Sequence, residues 1–179
     1  LTGGTTNTSN GYITVIDMTN DDLNEIKKRT DLSTNINNTF ISIRAELIRD
    51  VANLPFIPFV NAESNQASNF IEDTTPPELT QFNLDINNGR LTLVFSETVN
   101  VSTLQSGLIF LQDSAVVSLV GESLNLTGGI PSPSGFQSRF NLILTNSDLN
   151  RIKESTNLAT DVTNTFLALS KGTILDMSG

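Results

Sequence analysis

The chain has 179 residues, with 10 lysines and arginines, 19 aspartates and glutamates, and no histidine, cysteine or tryptophan. Without His or Cys, the sequence excludes a Cys/His zinc site, a thiol nucleophile and a Ser-His-Asp triad. The net charge of −9 argues against a nucleic-acid partner, because binding a polyanion depends on neutralising phosphates with Lys and Arg. No apolar run approaches the roughly 18–20 residues that span a bilayer, so we expect no membrane insertion.

The first predicted elements, in residues 19–50, recur later in the chain at an offset of 126 positions. The segment TNDDLNEIKKRTDLSTNINNTFISI returns as TNSDLNRIKESTNLATDVTNTFLAL. The identical positions are Thr19, Asn20, Asp22, Leu23, Asn24, Ile26, Lys27, Thr30, Leu32, Thr34, Asn38, Thr39, Phe40, Ile48 and Asp50. LTGG at residues 1–4 also returns, at residues 126–129. Such self-similarity predicts a tandem repeat architecture.

The repeat predicts two modules of unequal completeness. Residues 1–72 match the second half of a module plus a linker, and residues 73–179 hold a first half followed by a second half. Residues 51–64 continue the first copy, whereas the second copy ends at Gly179, so we expect the second module to lack its last strand. Either the chain is a window on a longer tandem protein, or it is a subunit whose modules are completed by neighbours.

Each copy of the repeat carries one predicted short helix. In residues 146–153, Leu149 and Ile152 are three positions apart and therefore share one face. Asn146 or Ser147 is the expected N-cap. The first copy has the same pattern, so we expect one helix of about two turns per module, crossing between sheets.

The remaining predicted elements are strands. Residues 78–86 and 90–95 alternate apolar and polar side chains around Asn87-Asn88-Gly89, which predicts a β-hairpin with a type I′ turn. The prolines just before this hairpin predict an extended, stiff linker. Further strands are predicted at residues 108–111, 116–120, 140–144 and 166–169. About seven short strands per module are typical of an all-β sandwich.

A family resemblance lies in the first half of the second module. DTTPPEL at residues 73–79, followed by the hairpin and by LVFSETV at residues 93–99, resembles the opening of bacterial-type Ig-like modules. Such modules occur in tandem in S-layer proteins, large adhesins and giant extracellular proteins of microbes and protists. The resemblance implies tandem Ig-like β-sandwiches at an extracellular or cell-surface location, and the repeat adds one short crossover helix to each module. It also implies a mechanical or spacing role without catalysis.

Four N-x-[ST] sequons are candidate acceptors for N-linked glycans: Asn7, Asn37, Asn100 and Asn125. Their number decides nothing, because the composition alone predicts about four to five such sequons by chance. Attached glycans would explain how a chain with only 16% charged residues stays in solution. We therefore expect these four asparagines to be glycosylated.

Acidic residues at Asp17, Asp21, Asp22, Glu72 and Asp73 offer oxygen ligands of the kind that calcium prefers. They lack the D-x-D-x-D spacing of a calcium loop, and the middle pair fits the start of a helix better. Calcium therefore stays a less favoured alternative, with no metal ligand and no cofactor assigned. No two carboxylates are marked as a glycosidase pair, so no catalytic residue is predicted.

These features predict a structural repeat module of an extracellular, glycosylated fibre or surface array. We expect it to self-associate into a homopolymer through tandem or strand-donating Ig-like modules. One alternative is an adhesin or ligand-binding module of a large cell-surface protein, whose end loops recognise a sugar or protein. A second alternative, a glycan-processing enzyme, would need two buried carboxylates in a cleft.

Overall fold

The computed structural model describes residues 1–9, 11–58, 64–116 and 121–179. The chain divides into two compact units, Leu1–Thr74 and Thr75–Gly179, which we call unit 1 and unit 2. The strand predicted at residues 116–120 lies outside the described part of the chain except for Val116, which is in a bend.

Unit 1 contains two small antiparallel sheets and one α-helix among its described residues. Strand β1 (Gly4–Thr5) pairs with β2 (Asp17–Met18), and β3 (Phe40–Ile41) pairs with β4 (Asn65–Gln66). Helix α1 (Asn20–Lys27) connects β2 to β3. Unit 1 therefore has regular structure where the first copy of the repeat predicts it, but only in short segments.

Unit 2 contains eight antiparallel strands and one α-helix among its described residues. They are β5 (Leu79–Asp85), β6 (Arg90–Asn100), β7 (Ile109–Gln112), β8 (Ser123–Asn125), β9 (Ile130–Ser132), β10 (Phe136–Ile143), α2 (Asn146–Glu154), β11 (Phe166–Leu169) and β12 (Leu175–Asp176). One sheet has the order β12-β6-β10-β9, with β5 also paired to β6, and the other has the order β11-β7-β8. Helix α2 connects the two sheets. These elements confirm a β-rich fold with one short helix in each copy of the repeat.

The β5–β6 hairpin forms where it is predicted, but the predicted turn type is wrong. Pairing of Asp85 with Arg90 leaves a loop of four residues, 86–89. Only Gly89 in this loop has a positive φ, of 59°, whereas a type I′ turn needs positive φ at both central residues. The Asp85 carboxylate holds the loop by accepting hydrogen bonds from the backbone N–H of Asn88 at 3.1 Å and from its side-chain amide at 2.7 Å.

Both helices begin after a threonine, so the predicted caps Asn146 and Ser147 are wrong. The Thr145 hydroxyl accepts a hydrogen bond from the backbone N–H of Asp148 at 3.0 Å. Thr19 caps α1 in the same way. A threonine in an extended conformation leaves its hydroxyl free to satisfy one of the unpaired N–H groups of the first turn.

The hydrophobic core of unit 2 draws side chains from both of its sheets. It contains Leu91, Leu93, Phe95, Val99, Val101, Ile109, Leu111, Leu124, Leu126, Phe140, Leu142, Leu144, Ile152, Leu158, Ala159 and Ile174. The first eight of these residues precede the second copy of the repeat, and the last eight lie within it. Alternation along β6 and β10 turns every second side chain inward, and the rings of Phe95 and Phe140 stack with centroids 6.1 Å apart.

Candidate assembly and modification sites

A buried aspartate in the first turn of α2 ties the helix to the second LTGG segment. The Asp148 carboxylate is fully buried and accepts hydrogen bonds from the backbone N–H of Thr127 at 3.0 and 3.1 Å. It also accepts one from the Thr127 hydroxyl at 3.0 Å, and the Arg151 guanidinium lies 3.3 Å from it. Such charge-assisted hydrogen bonds satisfy a carboxylate that burial alone would destabilise.

Unit 1 contains the same tie at the equivalent positions. The Asp22 carboxylate accepts hydrogen bonds from the backbone N–H of Thr2 at 2.8 and 2.9 Å and from the Thr2 hydroxyl at 3.0 Å. The backbone N–H of Gly3 donates another at 3.0 Å. These hydrogen bonds, that of the Thr2 amide first, hold the pKa of Asp22 below its ordinary value. Asp22 is therefore a hydrogen-bond acceptor for a loop.

A second polar cluster fixes the loop after the helix in each unit. In unit 1, Asn38 Oδ1 accepts hydrogen bonds from the backbone N–H groups of Thr34 and Asn35, both at 2.9 Å. Asn38 Nδ2 donates to the Thr34 hydroxyl at 2.7 Å. Asn164 makes the matching hydrogen bonds in unit 2, at 3.0, 3.0 and 2.7 Å. Two copies of one sequence pattern therefore form one local structure twice.

Sequence reasoning missed both polar clusters, although a usable signal was present. Asp22, Thr34 and Asn38 are all identical in the two copies of the repeat. A polar residue that recurs beside varying neighbours indicates a hydrogen bond that a substitution would leave unsatisfied. The partner at Thr2 could not be assigned without the tertiary structure, because it lies 20 residues before Asp22.

Five apolar positions of the repeat are buried in unit 2 and exposed in unit 1. Leu126, Leu142, Leu144, Leu158 and Ile174 are at most 8% exposed in unit 2. Their counterparts in unit 1 form what we call the open face: Leu1, Ile16, Met18, Leu32 and Ile48. The open-face residues are 38% to 81% exposed. Equivalent side chains thus have opposite environments, and the difference lies in what covers them.

Three of the four sequon asparagines are exposed. Asn7 is in an irregular segment, Asn37 is in a 3₁₀ turn, and Asn125 ends strand β8. Asn100 is half-buried at the end of β6, and its Oδ1 accepts a hydrogen bond from the backbone N–H of Ser102 at 3.1 Å. Exposure provides the access that an attached glycan needs at the first three positions.

The candidate acidic residues occupy several different environments. Asp17 is exposed in β2, and Asp21 is exposed in the first turn of α1, where the helix dipole favours a negative charge. Glu72 is exposed, whereas Asp73 pairs with the ammonium group of Lys27 at 2.6 Å. Asp21 and Asp22 therefore lie at a helix start, as the sequence predicts.

Hydrogen bonds lower the pKa of two further carboxyl groups. The side-chain amide of Asn88 lowers the pKa of Asp85, and the hydroxyl of Thr163 lowers the pKa of Asp161. Both carboxylates lie at loops and accept backbone hydrogen bonds as well. A carboxyl group that is stabilised as its anion is a poor proton donor, so these groups act as structural acceptors.

Comparisons with known proteins add no family assignment. The chain matches no protein-family model, no curated protein and no solved structure. Within the part of the chain that the structure describes, no helix has both the length and the apolar character needed to cross a bilayer. The features of the chain that bear on its function are the repeat, its hydrogen-bonded loops and the open face.

Proposed function

We propose that the chain is a structural repeat module of an extracellular, glycosylated fibre or surface array, built from tandem Ig-like β-sandwiches. The observation that carries this proposal is the unequal burial of the two copies of the repeat. The second copy shares a hydrophobic core with the preceding residues of unit 2, whereas the first copy presents the matching open-face side chains to solvent. An apolar face rimmed by polar loops is a typical feature of a protein that associates with another polypeptide.

The strand arrangement of unit 2 supports the Ig-like architecture. A five-stranded and a three-stranded antiparallel sheet both contribute side chains to one core, as the two layers of a sandwich do. The segment before β5 contains Pro76 and Pro77, which restrict φ at successive positions. Restricted linkers between modules set a regular spacing along a tandem array.

The pairing of β6 suits a mechanical role. This strand has 11 residues, with β10 along one edge and β5 followed by β12 along the other. Pulling β6 out of the sheet would break backbone hydrogen bonds on both edges together. A cooperative ladder of this kind resists extension better than a strand held on one edge.

Glycans complete the proposed function. Asn7, Asn37 and Asn125 are exposed in different parts of the chain, so glycans attached there would lie outside the core of unit 2. A polar carbohydrate layer would keep a chain with few charges hydrated and would shield the surface between contacts.

Cryo-electron microscopy of the native material tests this proposal. We expect helical filaments in which copies of the chain repeat at a fixed spacing, with branched density on the exposed sequon asparagines. An enzymatically deglycosylated sample is the control, since branched density that survives deglycosylation is not an N-linked glycan. Isolated particles without repeating contacts would overturn the fibre or array.

A further inference from the structure

The open face lacks the half of the module that covers its counterpart in unit 2. Half of the core of unit 2 comes from strands and turns that precede the second copy of the repeat. Strands β5 and β6 are paired within unit 2, and β6 also pairs with β10. Residues 75–125 therefore already pack against the second copy within unit 2. The open face fits an additional segment that resembles residues 75–125.

A strand edge in unit 1 lies beside the open face. In unit 2, β10 has β9 on one edge and β6 on the other. In unit 1 the pair Thr5 and Asp17 matches the pair Ile130 and Ile143, so β1 takes the place of β9. Among the strands that the structure describes, none pairs with the other edge of residues 12–18. Only Asp17 and Met18 of this segment are in a strand, and the backbone N–H of Val15 donates a hydrogen bond to the Thr8 hydroxyl at 2.8 Å. An incoming strand would therefore extend the sheet from β2.

The second sheet position in unit 1 is already filled. Strand β4 pairs with β3 in the way that β7 pairs with β11, with Gln66 opposite Phe40 as Gln112 is opposite Phe166. Of the strands that precede the second copy, β5, β6 and β8 have no counterpart among the described strands of unit 1. Of these three, β6 is the one that pairs with β10, and β5 is its hairpin partner. This restricts the occupant to a hairpin of about 22 residues, the length of residues 79–100.

We propose that the open face and the edge of residues 12–18 bind a β5–β6-type hairpin, supplied by another polypeptide segment that carries the same repeat. The proposal rests on the proposed function and names the segment that completes unit 1. Main-chain hydrogen bonds along the edge provide affinity, and alternate apolar side chains of the hairpin cover the open face. The hairpin therefore adds both a strand and half of a core.

The register of unit 2 specifies how the hairpin binds. In unit 2, Leu91 pairs with Leu142 and Arg90 pairs with Ile143. Transferred to unit 1, the leucine of the hairpin lies opposite Ile16, and the arginine lies opposite Asp17. Opposite charges on directly facing residues stabilise a strand pair, so unit 1 offers the hairpin a complementary charge.

Hydrogen exchange on the full chain tests the proposal, with a synthetic peptide of residues 77–100 as the probe. At saturating peptide we expect amide exchange in residues 12–18 to slow at least tenfold, because the edge becomes hydrogen-bonded. A control peptide in which both Leu91 and Leu93 are replaced by aspartate should give no slowing, since it cannot cover the open face. Equal slowing by both peptides would contradict the proposal.

Two exposed apolar positions in unit 1 give matched variants of the chain. Ile16→Asp places a charge on the open face and should abolish the slowing. Val51→Asp makes the same kind of change outside the open face, at a residue that is 96% exposed, and should leave the slowing intact. Neither residue is buried, so both variants retain the core of unit 2.

If something other than a β5–β6-type hairpin covers the open face, the exchange experiment gives a different result, and that result overturns the proposal. Slowing confined to unit 2 would show that the peptide exchanges with its own β5–β6 hairpin. A dimer of the chain alone, with residues 12–18 protected, would make a second open face the occupant. Filaments whose open face is filled by another segment would overturn this inference alone, whereas peptide binding without native filaments would overturn the proposed function alone.

Discussion

Asp22 and Asp148 accept hydrogen bonds from threonines that precede them by 20 and 21 residues, at the same place in the two copies of the repeat. Some apolar positions of the repeat vary, since Ile16 corresponds to Leu142. Apolar side chains of similar volume can exchange at small cost, whereas a lost acceptor leaves several donors unsatisfied. Identity at a polar position therefore carries more structural information here.

Acidification should release the loop at Thr2. The pKa of Asp22 is lower in the folded chain than the ordinary aspartate value of about 3.9. Its hydrogen bonds therefore stabilise the folded state fully at pH values above the ordinary pKa, and this stabilisation is lost as the pH falls through the lower pKa of the folded chain. We expect the Thr2 amide resonance to shift with a midpoint below that value in an NMR titration. Asp22→Asn should abolish the shift, and a midpoint above the ordinary value would contradict the assignment.

Glycan occupancy should differ among the four sequons. We expect high occupancy at Asn7, Asn37 and Asn125, which are exposed, and lower occupancy at Asn100, whose side chain is half-buried and caps a turn. Glycopeptide mass spectrometry of the native material measures each position separately. Occupancy at Asn100 equal to the other three would show that its cap does not restrict access.

At the scale of single elements, the β5–β6 hairpin has features that depend on its own residues and others that depend on contacts with the rest of unit 2. The alternation around Asn88 and Gly89 places the two strands, but the loop has four residues, and one of them, Gly89, has a partner outside the hairpin. The Gly89 carbonyl accepts a hydrogen bond from the backbone N–H of Leu144 at 2.8 Å. That contact lies outside the hairpin, so local turn preferences do not predict it.

Gly89→Ala should destabilise unit 2 by about 1–2 kcal/mol, the cost of a left-handed conformation for a residue with a Cβ. The added methyl group would also lie 3.3 Å from Leu149 Cδ2. Gly107→Ala is the matched control, because its Cβ would come no closer than 3.9 Å to any neighbour. Urea unfolding followed by circular dichroism measures both changes. Equal losses would show that the conformation of Gly89 is not the cause.

At the scale of the whole molecule, the two units should differ in stability. Among the described residues, the buried apolar residues of the core all belong to unit 2, and the open-face residues of unit 1 are exposed. Hydrophobic burial is the largest favourable contribution to folding, and unit 1 has little of it. Its structure therefore depends on hydrogen-bonded loops.

A pair of equivalent substitutions measures this difference. Leu142→Ala removes a fully buried side chain and should lower the free energy of unfolding of unit 2 by about 2–5 kcal/mol. Ile16→Ala, at the same position of the repeat in unit 1, should change stability by no more than about 0.5 kcal/mol. Native-state hydrogen exchange followed by mass spectrometry resolves both units. A comparable loss at Ile16 would mean that the open face is covered in solution.

The sequence by itself was sufficient for the features that depend on near neighbours. Alternation places β5 and the first six residues of β6, although β6 continues to Asn100. The strand predicted at residues 166–169 is β11, and the spacing of Leu149 and Ile152 places α2 within one residue of its observed end. The offset of 126 positions also predicts that the same local structure forms twice. These features follow from side-chain period and backbone preference, which act over a few residues.

Only the tertiary structure decided the partners of Asp22 and Asp148 and the contact of Gly89 with Leu144. It also decided which copy of the repeat has a core. Leu32 and Leu158 are identical residues in matching loops, yet Leu158 is fully buried and Leu32 is 38% exposed. Burial requires a covering surface from a distant part of a chain. Among the described residues, Leu158 has such a cover and Leu32 is only partly covered, so two similar segments have different environments.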